Sequence, residues 1–135
     1  MSIFQDIKQF GKDMSTLPWY IQVWATMYPL PQLLGGLYFI QTLPGAVILL
    51  GRILSTIVAS QVHKGSPFSK LIGPVSHAHW LLILPYLAFV LATQQLEAPL
   101  FYFICYVVVT SCISAVIDIR DYLNAKQQGE TAYKR

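Results

Sequence analysis

Four long apolar runs constrain this chain more than any other feature of its sequence. They cover about residues 18–40, 44–62, 74–93 and 99–124, and short polar connections separate them. An α-helix needs roughly 20 apolar residues to cross a bilayer, and each run is close to that length. The sequence therefore predicts an all-α fold: a polytopic membrane protein with four transmembrane helices.

Composition agrees with a membrane protein and argues against a nucleic-acid-binding one. The chain has 135 residues, of which 55% are hydrophobic and 11% are charged, whereas soluble domains contain about 25% charged residues. The net charge of +3 is small, and no basic stripe interleaved with aromatic residues is present. Binding a phosphate backbone requires several Lys or Arg on one face. We expect the lipid bilayer, and no nucleic acid, as a partner.

Three regions follow from the pattern along the chain. Residues 1–15 carry apolar side chains at helical spacing and predict a short amphipathic helix, either in the membrane interface or as an arm packed on the rest of the protein. Residues 16–124 form the four-helix transmembrane domain, and residues 125–135 form a polar cytoplasmic tail. Prolines and glycines interrupt the first run and predict a kink there: Pro29, Pro31, Gly35 and Gly36.

The distribution of basic residues predicts the orientation. Except for Arg52, all Lys and Arg fall on one side if each run crosses: Lys8, Lys12, Lys64, Lys70, Arg120, Lys126, Lys134 and Arg135. The opposite loops, at about 41–43 and 94–98, contain one charged residue, Glu97. Because cytoplasmic loops are enriched in Lys and Arg, we expect an inner-membrane protein with both termini in the cytoplasm.

Arg52 is the exception, because it lies in the middle of the second apolar run. A charge at that depth costs at least about 2.5–3.5 kcal/mol and normally has a partner or a water-filled cavity. The fourth run offers a polar face, and we predict one buried network of Arg52, Ser114, Asp118 and Asp121. The depths of Arg52 and Asp118 differ, so a direct pair needs a long reach or a bridging water. Packing, an anion or proton site and a docking site for a partner subunit all remain open as its purpose.

The histidines and cysteines give weaker signals. His77 and His79 differ by about 200° on a regular helix, so their rings would point to opposite sides and would not share a metal. We expect an interfacial histidine beside a Trp80 anchor, with haem ligation by one histidine as the open alternative. Cys105 and Cys112 read as buried apolar thiols, about 10.5 Å apart along a helix. The sequence predicts no metal and no cofactor.

Evidence for catalysis is slight. Asp118 and Asp121 are three residues apart and share a helix face, as a pair of acid and base groups would. The sequence has no Gly-rich phosphate loop, no nucleophile elbow and no repeated Cys/His spacing. We therefore predict no catalytic residue and no enzyme activity.

Three short motifs carry a resemblance. They are Phe68-Ser69-Lys70-Leu71-Ile72-Gly73, His77-Ala78-His79-Trp80, and Ile113-Ser114-Ala115-Val116-Ile117-Asp118-Ile119-Arg120-Asp121-Tyr122-Leu123. Together they resemble a set of uncharacterised small bacterial inner-membrane proteins with four helices. The chain departs from that set in placing Arg120 before Asp121 and in a loop lengthened by Ser66 and Pro67. The resemblance implies a bacterial source and directs attention to His77, Trp80, Asp118 and Tyr122, but it assigns no function to them.

Three functions are compatible with these features. The first is a non-catalytic membrane module that acts as a homo-oligomer or as an accessory subunit of a membrane complex, since small residues such as Ser55 and Ala59 let helices approach closely. The second is a small oligomeric channel or transporter for an anion or protons, which would use Arg52 and the polar face of the fourth helix. The third, a small enzyme using Asp118 and Asp121, has the least support.

Overall fold

A computed structural model describes residues 2–65 and 71–128, with side chains up to residue 124. This part of the chain is helical and contains no strand, which confirms the all-α class. The helices are α1 (Ile3–Met14), α2 (Trp19–Met27), α3 (Pro29–Tyr38), α4 (Leu43–Gly65), α5 (Ile72–Ser76), α6 (Trp80–Thr93) and α7 (Ala98–Gln128).

Two of the described helices are long and apolar enough to cross a membrane, where the sequence predicts four. They are α4 and the Ala98–Asn124 part of α7. Helix α6 is apolar but has only 14 residues, about 21 Å of rise. The first and third apolar runs are each divided between two helices, so neither is the continuous span that hydropathy indicates.

Prolines break the first run. Helix α2 ends at Met27, Tyr28 caps it, and α3 begins at Pro29. Proline has no N–H group, so Pro31 removes the helical donor that would bond the carbonyl oxygen of Met27. The hydroxyl of Tyr106 on α7 replaces that donor, at 2.6 Å from the same oxygen. The predicted kink is therefore a complete break, and α7 supplies the hydrogen bond that it costs.

A turn at 77–79 breaks the third run. Helix α5 ends at Ser76, and α6 begins at Trp80. Short i to i+3 hydrogen bonds cross the break, from the N–H of Trp80 to the oxygen of His77 at 3.0 Å and from Leu81 to Ala78 at 3.2 Å. The expectation of one helix from Pro74 onward is wrong, because the chain tightens into a turn between the two histidines.

The two continuous helices extend beyond their apolar runs. Helix α4 continues to Gly65, so the polar connection predicted from His63 begins inside a helix. Helix α7 continues to Gln128, so the predicted polar tail 125–135 also begins as helix. The rest of that tail, 129–135, and residues 66–70 lie outside the described part of the chain.

Helices α4, α6 and α7 enclose the apolar core. Its fully buried members are Ile48, Trp80, Leu87, Val90, Leu100, Ile104 and Val107. Helix α3 lies against α4 at Gly36, where an added Cβ would be 2.8 Å from the Cβ of Leu49. That distance is shorter than van der Waals contact permits, so any residue with a Cβ at position 36 would push the two helices apart. Glycine lets them approach.

Helix α1 is the amphipathic helix that the sequence predicts, and it begins with a capping box between Ser2 and Gln5. Its acidic residues contact the last turns of α4. The amide of Gln61 donates to Asp6 at 3.1 Å and Lys64 Nζ does so at 3.3 Å, and His63 Nε2 lies 2.9 Å from Asp13. Helix α1 thus packs on the rest of the protein, yet it leaves Ile3 and Phe4 exposed.

Candidate functional site

Arg52 occupies the centre of a buried polar cluster. Its side chain is 3% exposed, and its Nε donates to Oε1 of Gln32 on α3 at 2.9 Å. The guanidinium carbon lies 4.3 Å from the ring centroid of Tyr28 and 5.0 Å from that of Trp80. Cations bind the faces of aromatic rings, so hydrogen bonds and ring faces together replace the water that this charge has lost.

His77 joins Arg52 to Asp118. Its Nε2 lies 3.3 Å from Nη1 of Arg52, and its Nδ1 lies 2.9 Å from Oδ2 of Asp118. A guanidinium only donates hydrogen bonds, so Nε2 must accept and Nδ1 must carry the proton that it donates to the carboxylate. A neutral imidazole therefore lies between a cation and an anion. The depth gap that the sequence assigned to a long reach or a water is filled by this ring.

The turn between α5 and α6 places both histidines against α4. His79 Nε2 lies 2.8 Å from the carbonyl oxygen of Gly51 and 3.2 Å from Oγ of Ser55. Trp80 Nε1 donates to the same Oγ at 2.9 Å. The prediction that the two rings point to opposite sides is wrong, because it assumed a regular helix through residues that form a turn.

Gly73 lets Asp118 reach this cluster. A Cβ placed on Gly73 would collide with Oδ1 of Asp118. Helix α5 therefore touches α7 through a backbone without a side chain, and the carboxylate occupies the space that a side chain would take.

A cavity of about 540 Å³ adjoins the cluster. Arg52, His77 and Asp118 line it together with Ser114 and with apolar side chains from α1, α2 and α3. Within the described residues, Nη2 of Arg52 is buried and has no hydrogen-bond partner. Buried polar groups are normally bonded, so this nitrogen is the one incomplete position in the cluster.

The remaining predicted residues lie close by but differ in their surroundings. Ser114 is buried and lines the cavity. Asp121 is buried, and Nη2 of Arg120 lies 3.5 Å from it. Tyr122 is exposed and lines a second cavity of about 200 Å³, which His77 and Asp118 also border. Ser114 and Asp118 thus share a cavity with Arg52, and Asp121 does not line that cavity.

Two members of the cluster were not recognised in the sequence. Gln32 is fully buried, and its amide lies 3.5 Å from Oγ1 of Thr110 on α7. Tyr28 is buried at the break between α2 and α3, and its ring meets that of His77 edge-on at 5.7 Å. A glutamine inside the first apolar run was the available signal for a buried partner.

No group of three or more metal-ligating side chains exists among the described residues. Both histidine rings near Arg52 have polar partners. Cys105 is partly exposed and Cys112 is exposed, so the prediction that both thiols are buried is wrong. On α7 they lie toward the outside of the helix cluster rather than in its core.

Comparison with protein-family models, curated proteins and solved structures found no match.

Proposed function

We propose that this chain is an integral protein of the bacterial inner membrane, with four crossing segments and both termini in the cytoplasm. The observation that carries the proposal is that large apolar side chains are exposed while charged and polar side chains are buried. Large apolar side chains face outward along the described helices, among them Leu82 on α6 and Val116 on α7. The charged Arg52 and the polar Gln32 and Ser114 are inside. Hydrocarbon surroundings favour this arrangement, whereas water opposes it.

Each broken run serves as one crossing segment in this proposal. Helical breaks at membrane depth are tolerated where the freed backbone groups face protein or a cavity. The hydroxyl of Tyr106 donates to the carbonyl oxygen of Met27, which Pro31 leaves without a helical donor, and the turn at 77–79 contacts α4. The four segments then join in the order broken, continuous, broken, continuous.

Contacts of α1 support one cytoplasmic side. Asp6 and Asp13 join α1 to the last turns of α4, so Lys8, Lys12 and Lys64 belong to the same end of the helix cluster. Arg120 lies near the end of α7 that follows Asp118. These contacts thus group Lys8, Lys12 and Lys64, three of the basic residues that predict the cytoplasmic face.

Single cysteines in a variant without Cys105 and Cys112 test the topology. We expect Gln95→Cys to react with a membrane-impermeant maleimide in intact cells, and Lys8→Cys to react only after the membrane is opened. Matched variants at Gln41 and Lys64 repeat the comparison at the other loop and the other end. Labelling of Gln95→Cys from the cytoplasmic side alone would refute four crossings.

Within the membrane we propose a non-catalytic module that acts in a homo-oligomer or as an accessory subunit. Only 28% of the residues in the most apolar stretch of α7 are buried. Its outward face carries Val109, Val116 and Ile119, so α7 offers an apolar surface to another chain. Disulfide trapping of Val116→Cys in native membranes tests it, with Leu82→Cys on α6 as the matched control. A monomer in native nanodiscs, without crosslinked species or co-purifying subunit, contradicts the proposal.

A second candidate, transport of an anion or protons, has one observation of its own. The two broken segments meet at the Arg52 cluster, through the rings of Tyr28 and His77. Interrupted membrane helices characteristically form substrate and ion sites in transporters. Flux of protons and chloride into liposomes, measured for wild type and Arg52→Gln, decides the matter: transport requires a wild-type flux that the variant loses.

A further inference from the structure

The cavity beside Arg52 has the features of a ligand site. Its volume of about 540 Å³ lies within the roughly 300–1,000 Å³ of small-molecule sites. Its lining is mainly apolar, and its charged groups are gathered in the Arg52–His77–Asp118 cluster. Gly11, Trp24 and Leu30 line it and are also exposed, so it opens at the surface near α1 and α2. A ligand that fits must combine an apolar body with one polar end.

The polar end must carry a negative charge. Arg52 uses Nε for Gln32 and Nη1 for His77, and its Nη2 is left without a partner among the described residues. The guanidinium carbon lies over the rings of Tyr28 and Trp80. The N–H groups of Nη2 lie in the guanidinium plane, so a partner that accepts from them would lie in that plane. Carboxylates bind arginine in that plane.

One negative charge matches the cluster better than two. Among the described residues that line the cavity, Arg52 is the only cation, and Asp118 contributes a negative charge on the far side of His77. A monoanion adds a single negative charge beside the guanidinium, while a phosphate monoester would bring a second one toward Asp118. The volume suits one acyl chain and not the two chains of a phospholipid.

We propose that this cavity binds a long-chain carboxylate, with the head group at Nη2 of Arg52 and the acyl chain along the wall formed by α1 and α2. Binding requires the guanidinium to turn toward the cavity, because Nη2 is buried. The proposal goes beyond the assembly role above and does not depend on how many segments cross the bilayer.

Quenching of tryptophan fluorescence by dibromostearate tests the proposal on the full chain in nanodiscs. Trp24 lines the cavity, so a bound brominated chain quenches it saturably, whereas partitioning into lipid does not saturate. The methyl ester of the same acid is the matched probe without charge. A hydrogen bond to a charged group contributes about 1.5–3 kcal/mol, so we expect the acid to bind about tenfold or more tightly than the ester.

Two variants separate the head group from the chain. Arg52→Gln should remove the preference for the acid over the ester. Ala25→Phe fills the cavity without touching the Arg52 cluster, and it should weaken both probes by about tenfold while leaving thermal stability near that of the wild type. Equal affinities for acid and ester, or quenching that Ala25→Phe leaves unchanged, would overturn the proposal. Saturable quenching by dibrominated phosphatidylglycerol at the same affinity would also overturn it, because the site would then accept two chains.

Discussion

Nε2 of His77 faces Nη1 of Arg52 across 3.3 Å, while the opposite nitrogen of the same ring faces Asp118 across 2.9 Å. A cation, a neutral ring and an anion follow one another along this line, because the ring must be neutral for both contacts to form. Arg52 and Asp118 therefore communicate through a side chain whose proton position is dictated by its two neighbours.

Removal of Arg52 should destabilise the fold. Arg52→Met leaves the buried Oε1 of Gln32 and the partly buried Nε2 of His77 without a donor, and it leaves Asp118 without a balancing cation. We expect a loss of about 3 kcal/mol in the free energy of unfolding, measured in detergent by reversible denaturation. Arg120→Met is the matched control, because that side chain is exposed, and it should change stability by less than about 0.5 kcal/mol. Equal effects of the two variants would contradict the central place of Arg52.

The proton of His77 should reside on Nδ1. We expect ¹⁵N NMR of histidine-labelled protein to give one protonated and one unprotonated ring nitrogen for His77, with the protonated one coupled to the site of Asp118. Asp118→Leu removes the acceptor and should shift the Nδ1 resonance, while Asp121→Asn should leave it in place. A doubly protonated ring at neutral pH, or a proton on Nε2, is incompatible with the Arg52 contact.

A methyl group at Gly73 should separate α5 from α7. Gly73→Ala places its Cβ against Oδ1 of Asp118, so the carboxylate must leave His77 or the helices must move apart. We expect a loss of about 1–3 kcal/mol, typical of overpacking, read from thermal unfolding. Gly11→Ala, whose Cβ meets no atom within 4 Å, should be neutral or stabilising by up to about 1 kcal/mol. If Gly73→Ala were as stable as Gly11→Ala, the carboxylate of Asp118 would not need the space beside Gly73.

Acid should detach α1. The hydrogen bond from Gln61, reinforced by Lys64, holds the pKa of Asp6 below its ordinary value, and the hydrogen bond with His63 does the same for the pKa of Asp13. Carboxylates with lowered pKa stabilise the docked helix above their ordinary pKa, and this stabilisation is lost as the pH falls toward the lowered values. The protection of the α1 amides, which is the slowing of their hydrogen exchange relative to that of an unstructured peptide at the same pH, should therefore be high near neutral pH and should fall at acidic pH.

The double variant Asp6→Asn, Asp13→Asn is the control for that experiment. Its α1 amides should be less protected than those of the wild type at neutral pH, and their protection should change little on acidification. Retention of the wild-type pH profile in the double variant would place the titrating groups elsewhere.

Local chemistry explains which parts of this fold were predictable. The length and apolar content of α4 and α7 follow directly from the sequence, as does the amphipathic α1. The break at Tyr28 is signalled by Pro29 and Pro31, although its completeness depends on Tyr106, which is far away in sequence. The turn at His77–His79 contains neither Gly nor Pro, and its contacts with Gly51 and Ser55 on α4 are long-range. Hydropathy gives the same value to an apolar helix and to an apolar run interrupted by such a turn.

The site, like the fold, was predictable where it depends on local sequence and not where it depends on the turn. Burial of a charge inside an apolar run directed attention to Arg52, and helical spacing directed it to Ser114 and Asp118. The role of His77 depended on the turn, because a regular-helix projection placed the rings of His77 and His79 on opposite sides and paired neither of them with Arg52. Gln32 is also a polar residue inside an apolar run and gives the same kind of signal as Arg52. The signal is weaker, because burying a neutral amide costs less free energy than burying a charge.

The hydroxyl of Tyr106, bonded to the carbonyl of Met27, makes the break at Tyr28 a joint that α7 locks. A rotation of α2 relative to α3 would strain the hydrogen bond between Tyr106 and Met27. A displacement of α7 along its axis would pull on the same bond. Tyr28, whose ring lies over the guanidinium of Arg52, is at this break. The position of that ring therefore depends on the position of α7. We expect a chain that binds α7 from outside and displaces it to change the surroundings of Arg52 without contacting that residue.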